Sequence, residues 1–155
     1  MKYIYVIFLF IFISHSSHSN ILLDKISPNL SNLWGISILN KEEILFTQRS
    51  GKVYRLNIFK KKLFEITGAP EVFNSGQGGL LDIEIEQKNK RIKVYLCFSK
   101  LVNKSQSATA VNSYDFIKDK LKNKKSLFVS NKTSSSSRHF GCRLSLIHIS
   151  EPTRH

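Results

Sequence analysis

The sequence has few cysteines, few acidic side chains and no long apolar run. Two cysteines in 155 residues exclude a disulfide-stapled miniprotein and any four-thiolate zinc site. Eleven Asp and Glu stand against 24 Lys and Arg, giving a formal charge of +13. No stretch reaches the ~20 apolar residues needed to span a bilayer as a helix. Amphipathic helical patterns are also scarce, with Ile117 to Leu121 the one short candidate. What is present is a hydrophobic fraction of 41% with 11% aromatics, which excludes wholesale disorder. The length allows one ordinary domain and excludes a large multidomain machine.

Both ends stand apart from the middle. Met1-Lys2 precedes an apolar run from Tyr3 to Ile13, then a polar stretch from Ser14 to Ser19 with small residues before Asn20. That order matches a secretory signal over residues 1–19, against the alternatives of an uncleaved anchor or a buried strand. Cleavage near Ser19 places the mature chain in a periplasm or outside the cell, with no stable membrane span. It removes Lys2 and no acidic residue, so +13 becomes +12. At the other end, Leu146 to His155 reads LIHISEPTRH and shows no sustained strand alternation. Residues 145–155 are read as a non-native tail resembling a translated cloning adapter, against the alternative of a frayed terminus.

The middle, residues 20–144, is rich in short β-like runs. Leu33 to Leu39 and Glu43 to Gln48 are two of them. Within Lys52 to Ile58, Tyr54, Leu56 and Ile58 alternate with Arg55 and Asn57, the period-two sign of a half-buried strand. Leu81, Ile83 and Ile85 alternate with Asp82, Glu84 and Glu86. Ile92, Val94, Leu96 and Phe98 continue the pattern from Arg91. A hairpin of these last two runs would set an acidic face against basic residues across strands. Ala108 to Phe116 and Lys125 to Val129 are weaker strand candidates, and glycines at 51, 68, 76, 78 and 79 punctuate the chain as turns. Short antiparallel strands with regular turns predict an all-β sandwich, barrel or propeller.

Two clusters carry candidate chemistry. Ser75-Gly76-Gln77-Gly78-Gly79-Leu80-Leu81 is not a phosphate loop. The third glycine of G-x-G-x-x-G falls on Leu81, no P-loop lysine follows, and a strand replaces the helix. Its glycines allow a tight backbone beside Gln77, whose amide both donates and accepts hydrogen bonds. Alone, it reads as a plain turn. The second cluster is Arg138-His139-Phe140-Gly141-Cys142-Arg143-Leu144, holding the one histidine outside the signal and the tail. Imidazole titrates near neutrality and can take a proton from a hydroxyl, although a lone histidine is more often structural. The serines at 134–137 read as a flexible loop. The lysines at 60–62 and at 118, 120, 122, 124 and 125 read as solvated surface. They lack interleaved aromatics, so no nucleic-acid partner is expected. Cys97 and Cys142 could pair in an oxidising compartment, provided that the fold brings them close.

Taken in order, these clusters resemble the soluble quinoprotein sugar dehydrogenases of the glucose/sorbosone dehydrogenase family. The resemblance runs through Leu33-Trp34-Gly35-Ile36, Thr47-Gln48-Arg49-Ser50-Gly51, Gly76 to Asp82, Val94 to Ser99, Thr109-Ala110-Val111 and His139-Phe140-Gly141-Cys142-Arg143-Leu144. No one piece is specific; the register of all six carries the likeness. It implies a six-bladed β-propeller, of which only about the first half is present. It implies pyrroloquinoline quinone (PQQ) and calcium as cofactors, an aldose sugar as substrate and an external electron acceptor. The reaction implied is oxidation of the aldose at its anomeric carbon to the lactone, with hydride transfer to the quinone. His139 matches the family's catalytic base, and Gln77 matches a position that hydrogen-bonds substrate near the cofactor.

The departures are Gln48 in place of a glutamate, Cys142 in place of a small residue, and Gln87-Lys88-Asn89-Lys90 where another turn is usual. Arg138 stands where some members carry an aspartate that orients the histidine; a neighbouring cation disfavours imidazolium and leaves its tautomer unset. At ~40–45 residues per blade, the middle makes about three blades. Most quinone and calcium ligands are then expected beyond Leu144. The 155-residue chain alone is expected to fold poorly and to lack dehydrogenase activity. The alternatives are a non-catalytic propeller-type module binding carbohydrate or protein, and a basic protein that binds polyanions through its lysines.

Overall fold

A computed structural model describes residues 22–104, 106–138 and 140–146. The signal-like segment 1–19, His139 and the tail beyond Leu146 lie outside the described residues. The described chain is all β: β1 (Leu33–Ile38), β2 (Glu43–Gln48), β3 (Lys52–Asn57), β4 (Lys62–Ile66), β5 (Leu80–Lys88), β6 (Arg91–Leu101), β7 (Ser107–Ile117) and β8 (Lys120–Val129). They form two four-stranded antiparallel sheets in simple meander order, β1-β2-β3-β4 and β5-β6-β7-β8. Each has the form of a propeller blade.

Two sheets appear where chain length suggests about three. The second sheet takes more chain, because its strands run 9, 11, 11 and 10 residues against 5 or 6 in the first. The short helical candidate Ile117 to Leu121 is instead the end of β7, a reversal and the start of β8. Lys118 and Asp119 both take left-handed φ, 48° and 59°, as a two-residue hairpin turn of matching twist requires. Asn89 and Lys90 reverse the chain between β5 and β6 in the same way, with φ of 50° and 61°. The β5–β6 hairpin therefore forms. Glu86 faces Lys93 across it, but Glu84 faces Tyr95 and Asp82 faces Cys97, so the acid–base match covers one pair.

The alternating residues explain the core. Leu45 and Val53 of the first sheet meet Ile83, Val94, Leu96 and Phe98 of the second between the two sheets. The opposite face of the first sheet is covered too: Phe46, Tyr54 and Leu56 pack with Ile26 and Leu30. β3 is thus buried on both faces, where its pattern suggested one. Gly35 of β1 lies so close to Asp82 that an added Cβ would come within 2.8 Å of its carboxylate, which is why the inner strands can approach. Farther out, Arg55 of β3 forks onto Asp119 in the β7–β8 turn, at 2.6 and 2.7 Å. It also binds Glu43 and lies over the Phe64 ring at 4.3 Å. Attraction to these two carboxylates raises the Arg55 pKa further, against the opposing effect of burial.

Candidate functional site

The site is built on the connection between β4 and β5. Ser75 C=O accepts the Gly78 N–H at 2.8 Å, closing a turn with Gly76 and Gln77 at its centre. Gly76 has φ 54°, and a side chain there would strike the Ser137 carbonyl. Gly79, at φ 144°, lies against the Arg49 carbonyl, where a Cβ has no room. Steric exclusion, and not a phosphate cradle, therefore accounts for the glycine spacing, and β5 follows directly.

Ser99 at the end of β6 fixes this turn. It is fully buried. Its hydroxyl accepts the Gly79 N–H at 2.7 Å and donates to the Phe73 carbonyl at 2.8 Å. Its own N–H donates to Gly79 C=O at 2.9 Å, and its carbonyl accepts the Phe73 N–H at 2.8 Å. Arg49 braces the turn from the first sheet: Nη1 donates to the Gly76 carbonyl at 2.5 Å and the Arg49 carbonyl accepts the Leu80 N–H at 3.0 Å. Buried Nε of Arg49 meets no acceptor among the described residues. Sequence reading missed both roles, because a buried serine at a strand end and an arginine after a strand carry no local signature.

The second candidate cluster docks onto the same turn. The Gln77 N–H donates to the Ser137 carbonyl at 2.8 Å. Phe140 meets Phe73 edge to face, with ring centroids 6.2 Å apart. Cys142 is disulfide-bonded to Cys97, with Cα atoms 6.4 Å apart, and the Leu144 N–H donates to Asp82 at 2.6 Å. His139 itself lies outside the described residues, but chain on either side of it is tied to the 73–82 region. Gln77 is exposed at the turn's tip. Its amide can donate to one oxygen and accept from another.

The sequence departures have local explanations. Gln48 Nε2 donates to the Ser31 carbonyl at 2.9 Å, and its Oε1 accepts from Tyr54 at 3.3 Å, which secures the incoming chain. Arg138 and Arg143 are both exposed. Among the described residues no group of three His, Cys, Asp or Glu side chains converges as a metal site. No helix among them is long and apolar enough to cross a membrane.

Comparison with known proteins places this geometry. Residues 30–149 match the family model "Glucose / Sorbosone dehydrogenase". The aldose sugar dehydrogenase YliI of Escherichia coli (strain K12) is 26% identical over 127 residues, covering 79% of this chain and 34% of that protein. A solved glucose dehydrogenase superposes with a TM-score of 0.61 at 30% identity, over 66% of this chain and 33% of the other. The soluble aldose sugar dehydrogenase of Escherichia coli, solved in its apo-form, gives 0.66 at 26% identity, over 74% and 34%. The chain thus spans about a third of the length of these relatives.

Proposed function

The chain belongs to the glucose/sorbosone dehydrogenase family, and on that premise we propose that it is the N-terminal part of an exported aldose dehydrogenase. The reaction is oxidation of an aldose at its anomeric carbon to the lactone, with electrons passed on to an external acceptor. One observation carries the reading: Ser137 and Phe140, on either side of His139, are both held to the Gln77 loop. This supports a reading in which two residue types suited to a sugar hydroxyl, the Gln77 amide and the His139 imidazole, serve one site.

In this reading Gln77 hydrogen-bonds the sugar and fixes its orientation. His139 takes the proton of the anomeric hydroxyl as the C–H bond breaks. Ser99 and Arg49 hold the turn rigid so that Gln77 keeps its position. PQQ, when bound, supplies the acceptor for the hydride. The Gln77 amide, with cationic Arg49 behind it, suits an anionic, carbonyl-bearing quinone. No group of three His, Cys, Asp or Glu side chains converges among the described residues, and no step is assigned to calcium, whose ligands the family resemblance implies lie beyond Leu144. Residues 1–19 would direct export to the periplasm or the medium.

The apolar residues Trp34, Ile36 and Ile38 on β1 and Leu127, Phe128 and Val129 on β8 are exposed, which suits sheets that continue into further blades. The 155-residue chain is accordingly proposed to be inactive alone. Dye reduction by the purified chain with PQQ, calcium and glucose tests this, and measurable turnover would overturn it. In a full-length protein carrying this segment, His139→Ala should lower turnover at least ~100-fold. Near-normal turnover would remove His139 as the base.

A further inference from the structure

The second sheet outgrows the first: β4 has 5 residues and β8 has 10. The inward face of β6, β7 and β8 therefore runs past the edge of the first sheet. The overhang, flanked by residues 68–71, forms a groove of about 590 Å³ that shares no lining residue with the Gln77 turn. Phe98, Asn112 and Tyr114 line it and are 3%, 6% and 2% exposed. Asn112 Nδ2 donates to the Tyr114 hydroxyl oxygen at 3.0 Å. Among the described residues, Asn112 Oδ1 then has no donor and is not sealed from solvent, and the Tyr114 hydroxyl proton has no acceptor. A built acceptor–donor pair thus stands in the groove wall. Lys100, Lys122 and Lys124 also line the groove, against Glu71 as the one acid.

We propose that this groove binds a polyhydroxylated carboxylate, that is, a sugar acid. The three ammonium groups neutralise the carboxylate. Asn112 Oδ1 and the Tyr114 hydroxyl supply the directional bonds that hydroxyl groups need. The Phe98 ring offers the apolar surface on which a sugar's C–H face rests. Neither charge alone nor hydroxyls alone use all of these groups. None of residues 75–79 lines the groove, so the inference stands whether or not the catalytic reading holds.

Isothermal titration of the oxidised chain tests it, on samples whose far-ultraviolet circular dichroism shows intact β-sheet. The probes are sodium gluconate, glucose and sodium sulfate at matched ionic strength. Gluconate should bind at least about tenfold more tightly than glucose or sulfate, the size expected for charge-assisted hydrogen bonds. The exposed pair Lys100→Ala with Lys124→Ala should weaken gluconate by at least about tenfold. Tyr114→Phe, which removes only the hydroxyl, should weaken gluconate and leave sulfate unchanged. A galacturonate oligomer binding more tightly than gluconate assigns the groove to acidic glycans, and weaker binding assigns it to free sugar acids. Absence of gluconate binding by the folded chain, sulfate binding as tight as gluconate, or unaltered affinity in both variants would overturn the proposal.

Discussion

Asp82 and Cys97 stand opposite one another where β5 pairs with β6, and each fastens the same outlying segment. Asp82 accepts the Leu144 N–H at 2.6 Å, and Cys97 is bonded to Cys142 across 45 residues of sequence. Two adjacent anchors of different chemistry thus hold the chain that follows His139.

Reduction, or the Cys97→Ala/Cys142→Ala pair, should cost about 2–4 kcal/mol, the range for closing a loop of this size. The urea midpoint should fall. Amide exchange should rise first in residues 140–144, while the β6 core amides change least. Equal midpoints for the oxidised and reduced chains would show that the bond adds nothing.

Ser99→Ala leaves the Gly79 N–H and the Phe73 carbonyl without their buried hydroxyl partner. The expected loss is about 1–3 kcal/mol, with faster exchange at Gly79. In a full-length enzyme the same change should lower sugar oxidation, because the Gln77 turn loses its support. A variant with unchanged stability and unchanged Gly79 exchange would contradict this account of the turn.

Arg55→Lys keeps the charge and loses the planar fork onto Asp119 and the contact with Phe64. A loss of about 1–3 kcal/mol is expected, as for hydrogen bonds to charged groups. Asp119→Asn is the suitable partner change, since asparagine tolerates the left-handed backbone. A double-mutant cycle should give a coupling of about 1 kcal/mol or more; additive effects would remove the bridge between the sheets.

Tyr95 gives an alkaline signature. Its hydroxyl donates to Glu86 at 2.7 Å, and this bond, with burial and the Glu86 charge, pushes its pKa up to about 12. The folded state therefore favours the protonated phenol. That stabilisation is complete below the unfolded pKa of about 10 and is lost as pH rises through the folded value. Burial raises the Tyr114 pKa too, so ultraviolet titration should show late-ionising tyrosines of which Tyr95→Phe loses one, and the variant should lose less stability than the parent between about pH 10 and 12.

Much of the fold was legible because alternation is local. Ile83 and Glu84, or Leu96 and Cys97, point to opposite faces whatever lies elsewhere in the chain, so β1, β2, β3, β5 and β6 could be read directly. β4 was missed, and β8 was read five residues short, because their lysines match a solvated surface equally well. Edge strands keep one side polar, and only pairing with β3 and β7 shows that Lys62 and Lys120 begin strands. Within the candidate site, the glycine turn around Gln77 was legible as a turn. Its attachment to Ser137 was not, because 60 residues separate the two.

The sequence by itself determined the all-β class, the β5–β6 hairpin and the inward faces of β5 and β6, since backbone geometry sets a period of two. Tertiary structure alone decided that Cys97 meets Cys142, that Ser99 locks Phe73 to Gly79 and that Arg55 reaches Asp119. Those partners lie 45, 20 to 26 and 64 residues apart. Their meeting depends on how two sheets close over a shared core, which no local pattern of residues records.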